Sequence, residues 1–125
     1  MATGIENLRI YNEARELEIK VHDLTSKFPA DEKFKMVDQM RRASASVSNN
    51  IAEGYGKYNF GEKIHSFQIA RGEAYEIRNQ VLSSEDKKYL NGEFAEDLLT
   101  KYTDLIKGIS SYISFLKSKK EKLTI

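Results

Sequence analysis

The stretch Met36-Val37-Asp38-Gln39-Met40-Arg41-Arg42-Ala43-Ser44-Ala45-Ser46-Val47-Ser48-Asn49-Asn50-Ile51-Ala52-Glu53-Gly54 decides how the whole chain is read. Met36, Met40, Ala43, Val47 and Ile51 recur at steps of three and four, the spacing of one helical face. Gln39, Arg42, Ser46, Asn50 and Glu53 form a polar stripe beside it. Val37, Ser44, Ala45, Ser48 and Ala52 make a third face of nearly all small residues. The pattern predicts a helix over about 31–53, opened by the acidic Asp31 and Glu32. Gly54 is expected to end it in the left-handed conformation of a helix terminus.

Outward from this stretch the same period recurs three times. Leu8, Tyr11, Ala14, Leu17, Val21, Leu24 and Phe28 predict a helix over about 5–27, stopped by Pro29, the single proline of the chain. Phe60, Phe67, Ala70, Ala74, Ile77 and Val81 predict one over about 60–90, whose polar last turns around Ser83 to Lys88 are expected to fray. Phe94, Leu98, Tyr102, Leu105, Ile109, Tyr112 and Leu116 predict a fourth over about 93–119. The breaks between them fall at Gly54-Tyr55-Gly56 with Asn59 and Gly61, and at Asn91-Gly92. A strand-rich domain of this size needs more turn residues. The expected fold class is therefore all-α, an antiparallel up-down-up-down four-helix bundle. It forms one domain over 1–125, with a basic, flexible tail from about 118.

Composition narrows the function classes. A chain of 125 residues, 40% hydrophobic and 31% charged, supports one continuous core and excludes a disordered tail-like chain. The net charge of +1 means that any nucleic-acid binding must come from a local patch and not from the global field. The absence of cysteine excludes disulfides and thiolate metal sites. Met1 to Leu8 lacks the pattern of a signal peptide, and no apolar run approaches the roughly 20 residues of a membrane span. Cytoplasmic residence without membrane contact is the expectation.

Catalytic patterns are missing. Glu62-Lys63-Ile64-His65 has the spacing of half a di-iron carboxylate site. The other half is not there: His22 is the only other histidine, and Ile19 stands three residues before it. His65 reads as a solvated side chain, and no metal or other cofactor is expected. No serine or threonine carries a base and an orienting partner, and no phosphate-cradling glycine loop occurs. Gly54-Tyr55-Gly56-Lys57 is glycine-rich and basic but follows a helix C-terminus, where the dipole disfavours anions, so it reads as a turn. A non-enzymatic protein is expected.

Three candidate surfaces remain. Gln39, Arg42, Asn50 and Glu53, with Arg71, Arg78 and Glu76 of the third segment, have the chemistry of a buried hydrogen-bonded network that fixes helix register. Nucleic-acid binding needs clustered cations interleaved with aromatics. Arg41, Arg42, Lys57, Tyr58, Lys63 and Arg71, around the junction of the second and third segments, are the candidates for it. Lys117, Lys119, Lys120 and Lys122 make a second basic cluster. The small face with Val37, Ala45, Ser48 and Ala52 is the candidate subunit interface, because small side chains let backbones approach. Ordinary helix surface and solvated mixed charge are the bland readings of the same residues.

Phe28-Pro29, Glu32, Gln39, Arg41-Arg42-Ala43, Ser46-Val47 and Asn50-Ile51-Ala52-Glu53-Gly54 resemble the signature of the four-helix bundle proteins encoded in intervening sequences of 23S ribosomal RNA genes. Phe67, Ile69-Ala70-Arg71-Gly72 and Glu76 resemble that family's second block. Ser48 stands where the family often has proline, leaving the second helix uninterrupted. Glu73 stands where it often has serine, lowering the positive charge beside Arg71. The resemblance implies a ring-shaped homopentamer. It extends to the accessory variability protein of diversity-generating retroelements, a basic pentamer that partners a reverse transcriptase and nucleic acid. The functional expectation is an oligomer that binds RNA or DNA through a ring of basic patches; the alternative is a scaffold for a protein partner.

Overall fold

The computed structural model describes residues 4–123. Four helices fill it: α1 (Arg9–Thr25), α2 (Asp38–Gly56), α3 (Phe60–Asp86) and α4 (Gly92–Leu123). Each packs beside the next and α1 returns to α4, which closes the bundle. Register fixes the directions. Thr25 meets Arg41 and Glu18 meets Ser48 across α1 and α2. Met40 meets Ser84 and Gly54 meets Phe67 across α2 and α3. Arg78 meets Thr103 and Arg71 meets Ser110 across α3 and α4. Lys20 meets Asp97 and Ile10 meets Gly108 across α4 and α1. In every pair the numbers rise on one helix as they fall on the other, so all neighbours are antiparallel, as the sequence predicts.

The predicted apolar stripes build the core. Val21, Ile51, Phe67, Ile77, Leu98, Leu105 and Ile109 are fully buried, each contributing about 1.5–3 kcal/mol. Phe94 is an exception at 43% exposed, because Ala95 takes the inward position at the start of α4. The buried Tyr102 hydroxyl has no hydrogen-bond partner among the described residues. Burial, with the nearby Glu18 carboxylate, pushes this phenol far above its ordinary range.

Helix ends differ from the predicted ones for identifiable reasons. α2 starts at Asp38 because a short 3-10 segment (Ala30–Glu32) and a π-helical turn (Lys33–Val37) precede it, with the Glu32 carboxylate accepting from the Met36 backbone N–H. Gly54 does not end α2, which runs to Gly56 with no positive-φ glycine among the described residues. A Cβ on Gly54 would stand 2.9 Å from Phe67 Cε2 and 2.9 Å from Ser66 Cβ, so this glycine serves the close approach of α2 and α3.

α3 stops cleanly at Asp86. The Tyr89 N–H bonds the Ser84 carbonyl and the Lys88 N–H bonds that of Glu85, while Lys88 takes φ 65°. This is the Schellman arrangement, with lysine where glycine is usual. Asn59 and Asn91 cap α3 and α4 by accepting from the Glu62 and Phe94 N–H groups. α4 continues as helix to Leu123, through the region predicted as a flexible tail; its residues from 117 to 123 are exposed, and residues 124 and 125 lie outside the described part.

Candidate nucleic-acid interface

The five cations predicted to bind nucleic acid do not form one cluster. Arg41 lies near the start of α2, roughly 24 Å along the helix from Lys57. Its Nε donates to Thr25 Oγ1 at 3.0 Å and its Nη2 to the His22 carbonyl at 3.1 Å. It therefore closes the C-terminal turn of α1, a favourable place for a cation. Arg42 pairs with Asp38 one turn earlier at 2.8 Å, on the surface. Arg71 donates to Ser110 Oγ at 3.2 Å and ties α3 to α4.

Lys57 and Lys63 do come together, at the α2–α3 turn. Lys63 Nζ donates to the Tyr55 and Gly54 carbonyls at 2.8 and 3.4 Å, at the C-terminal end of α2. It also stands 5.8 Å from the centre of the Tyr55 ring. Lys57 pairs loosely with Glu53 at 3.7 Å. Tyr58, between them in the turn, is fully exposed.

The antiparallel register brings the second basic cluster to this end. A Cβ on Gly61 would lie 3.5 Å from Lys120 Nζ, so the last turns of α4 run past the start of α3. Lys117, Lys119 and Lys122 share those turns and are exposed. Phe115, half exposed, carries Lys119 over its ring at 5.6 Å. Behind it, Phe115, Tyr112 and the buried Phe67 stack in sequence at 5.7 and 4.8 Å. Two clusters read separately in the sequence are thus one basic, aromatic-studded end of the bundle. Helix register was the missing signal: residues 61 and 120 meet only when the helices are aligned.

The predicted polar network does not form. Arg42 and Glu53 are taken by neighbours on their own helix, and Asn50 donates back to Ser46 at 2.8 Å. Gln39 is exposed. Arg78 donates to Thr103 at 2.9 Å, and Glu76 sits beside Glu73. Burial first, and the hydrogen bond with Glu76 second, push the Glu73 carboxyl above its usual value. On α2, Arg42, Asn50 and Glu53 find partners within about a turn, while Arg71 and Arg78 of α3 turn to α4, so the two sets do not meet.

The predicted subunit interface is also partly consumed inside the chain. Val37 and Ser48 are buried, and Ser48 donates to Glu18 of α1 at 2.9 Å. Small residues here serve the packing of α2 on α1; Ala45 and Ala52 remain half-buried. The outward stripe that sequence reading missed lies on α3: Gln68, Gly72, Tyr75, Asn79 and Leu82 are exposed and carry no charge. Tyr75 is 57% exposed there, and a Cβ on Gly72 would meet nothing.

Among the described residues no three His, Cys, Asp or Glu side chains cluster as a metal site, and no helix is long and apolar enough to cross a membrane.

The crystal structure of a protein of unknown function from the S23 ribosomal protein family of Bacteroides thetaiotaomicron VPI-5482 shares this fold. The TM-score is 0.76 at 20% sequence identity, over 83% of this chain and 97% of that one. No curated protein matches the chain. Residues 6–111 match the family model described as 23S rRNA-intervening sequence protein, a span that holds all four helices except the last turns of α4. On that match, the chain belongs to the 23S rRNA-intervening sequence protein family.

Proposed function

We propose that this is a non-enzymatic nucleic-acid-binding protein that uses the basic end of the bundle. The observation that carries the reading is the convergence of Lys57 and Lys63 with Lys117, Lys119, Lys120 and Lys122 around exposed Tyr58 and Phe115. In a chain of net charge +1, such a local excess is where phosphates gain most from counterion release. Arg41, Arg42 and Arg71 are not part of this surface, since each is held at another place on the bundle, Arg41 against the end of α1, Arg42 against Asp38 at the start of α2 and Arg71 against Ser110 of α4. Fluorescence anisotropy with a labelled RNA hairpin tests it. Affinity falls steeply between low and physiological salt, and Lys117→Glu/Lys120→Glu/Lys122→Glu lowers it by more than about tenfold. No binding at low ionic strength, or binding indifferent to salt, sinks the reading.

A second reading, a self-assembling scaffold that also receives a protein partner, is favoured by the uncharged outward stripe of α3. Tyr75 and Leu82 are the large apolar side chains exposed on it, at 57% and 39%, and exposed apolar surface of this kind suits an interface. The family resemblance makes a homopentamer the expected assembly, and a ring would repeat the basic end and multiply weak contacts. Light scattering on Tyr75→Arg and Leu82→Arg distinguishes the cases: both variants dissociate an assembly held by this stripe and leave any other assembly intact.

A further inference from the structure

We infer that the basic end takes single-stranded nucleic acid, with an unpaired base stacked on Tyr58 and a neighbouring base edge read in the cleft between α2 and α3. This rests on the nucleic-acid reading above and specifies its ligand. Two observations and a comparison of ligands point to it. Tyr58 is fully exposed, so nothing within the chain is gained by an aromatic ring at that position. The turn that carries it is fixed on both sides: the Lys57 N–H bonds the Gly54 carbonyl, and Asn59 caps α3. The braced backbone fixes where the ring projects, so a base that stacks on it need order only the two side-chain torsions of Tyr58.

The cleft beside it supplies the second observation. About 390 Å³ in volume, it is lined on one wall by Asn50, Glu53 and Lys57 and on the other by Asn59, Glu62 and His65. Carboxylates repel phosphates but accept from the exocyclic amines of bases. Glu53 pairs loosely with Lys57 at 3.7 Å and Glu62 suits the first turn of α3, yet both carboxylates also line the cleft, where a base edge could use them and a bare phosphate backbone could not. Lys57 lines the cleft and the α4 lysines stand at its edge, with Lys120 near Gly61, where a backbone leaving the stacked base would run.

The comparison is with the competing ligand. A paired duplex hides its base faces, so it can use the lysines but not the Tyr58 ring. Recognition of unpaired bases by aromatic stacking and edge contacts is how single strands and RNA loops are read.

The test uses the full chain and labelled single strands of RNA and DNA of one mixed sequence, with the matched duplexes. Binding is followed by anisotropy at fixed, low salt. Both single strands bind more tightly than the duplexes; a preference for RNA over DNA adds a 2′-hydroxyl contact and a tie assigns the affinity to base and phosphate, each supporting the inference. Tyr58→Ala weakens single-strand binding by about tenfold or more and leaves duplex binding within about twofold, and Tyr58→Phe recovers the loss. Tyr58 is exposed, so Tyr58→Ala folds as the parent does. If duplex and single strand bind alike, or Tyr58→Ala changes neither, stacking is overturned while nucleic-acid binding stands. If no nucleic acid binds at all, both readings fail together.

Discussion

The two ends of the bundle use the same residue types for opposite ends. Where α1 leads into α2 and α3 into α4, aromatic and charged groups are spent on one another. Phe28 packs on Tyr89 with ring centres 5.5 Å apart, the Tyr89 hydroxyl donates to Glu32 at 2.9 Å, and Arg41 ties down the last turn of α1. At the other end Tyr58 stands free in solvent and the lysines of α4 extend along a helix whose last turns are wholly exposed. Tyrosine, lysine and arginine therefore do not locate a binding surface by being present. What marks it is the exposure of Tyr58 and of the α4 residues from 117 to 123, whereas at the closed end the Phe28 ring is buried and Tyr89 and Arg41 are hydrogen-bonded within the chain.

That contrast can be broken by substitution, beginning with the closed end. Phe28→Ala removes a buried ring and its contact with Tyr89, and is expected to cost about 3 kcal/mol in urea denaturation while leaving nucleic-acid affinity unchanged. A small loss would mean that this end is not closed by packing. Gly54→Val, which drives branched carbons into Phe67 and Ser66, is expected to cost about 2 kcal/mol through overpacking. Equal stability would show that α2 and α3 separate easily at the open end.

Lys88 holds φ 65° at the end of α3, so Lys88→Gly is expected to raise stability by about 0.5–1 kcal/mol. A loss instead would assign the lysine side chain a stabilising role of its own.

The smallest effect is a pH dependence. The Tyr89 hydroxyl holds the Glu32 carboxyl below its ordinary value of 4.5. A carboxyl lowered on folding stabilises above its unfolded value, and that contribution fades as pH falls through the folded one. Tyr89→Phe removes the largest of the causes and leaves the Met36 N–H and the nearby Lys87 and Lys35, so its stability should decline less than the parent's between neutral pH and about pH 3. Parallel declines measured by thermal melting would show that the Tyr89–Glu32 bond carries no weight.

The fold was legible because apolar spacing is a local property. Met40, Val47, Ile51, Phe67, Ile77 and Leu105 are buried where period 3.6 puts them. Helix ends were less legible: the α3 terminus uses lysine in a glycine position, and the entry to α2 is a π-helical turn with no composition of its own. The candidate site was legible only in pieces. Lys57 and Lys63 flank Tyr58 in the sequence, but Arg41, Arg42 and Arg71 look identical to them there until their places in the fold are known. The union with Lys120 depends on register between helices joined through a distant turn, which no local pattern encodes. The small face of α2, expected as a subunit interface, packs partly on α1 through Ser48 and Glu18, while Ala45 and Ala52 stay half-buried.

The most direct test of the account is the salt dependence of RNA binding, measured by anisotropy for the parent chain and for Lys117→Glu/Lys120→Glu/Lys122→Glu. The account predicts that the parent's affinity falls steeply as salt rises. It predicts that the variant, equally stable in urea, binds more than about tenfold more weakly with a shallower slope. A variant that binds like the parent, or a parent that does not bind in low salt, contradicts it.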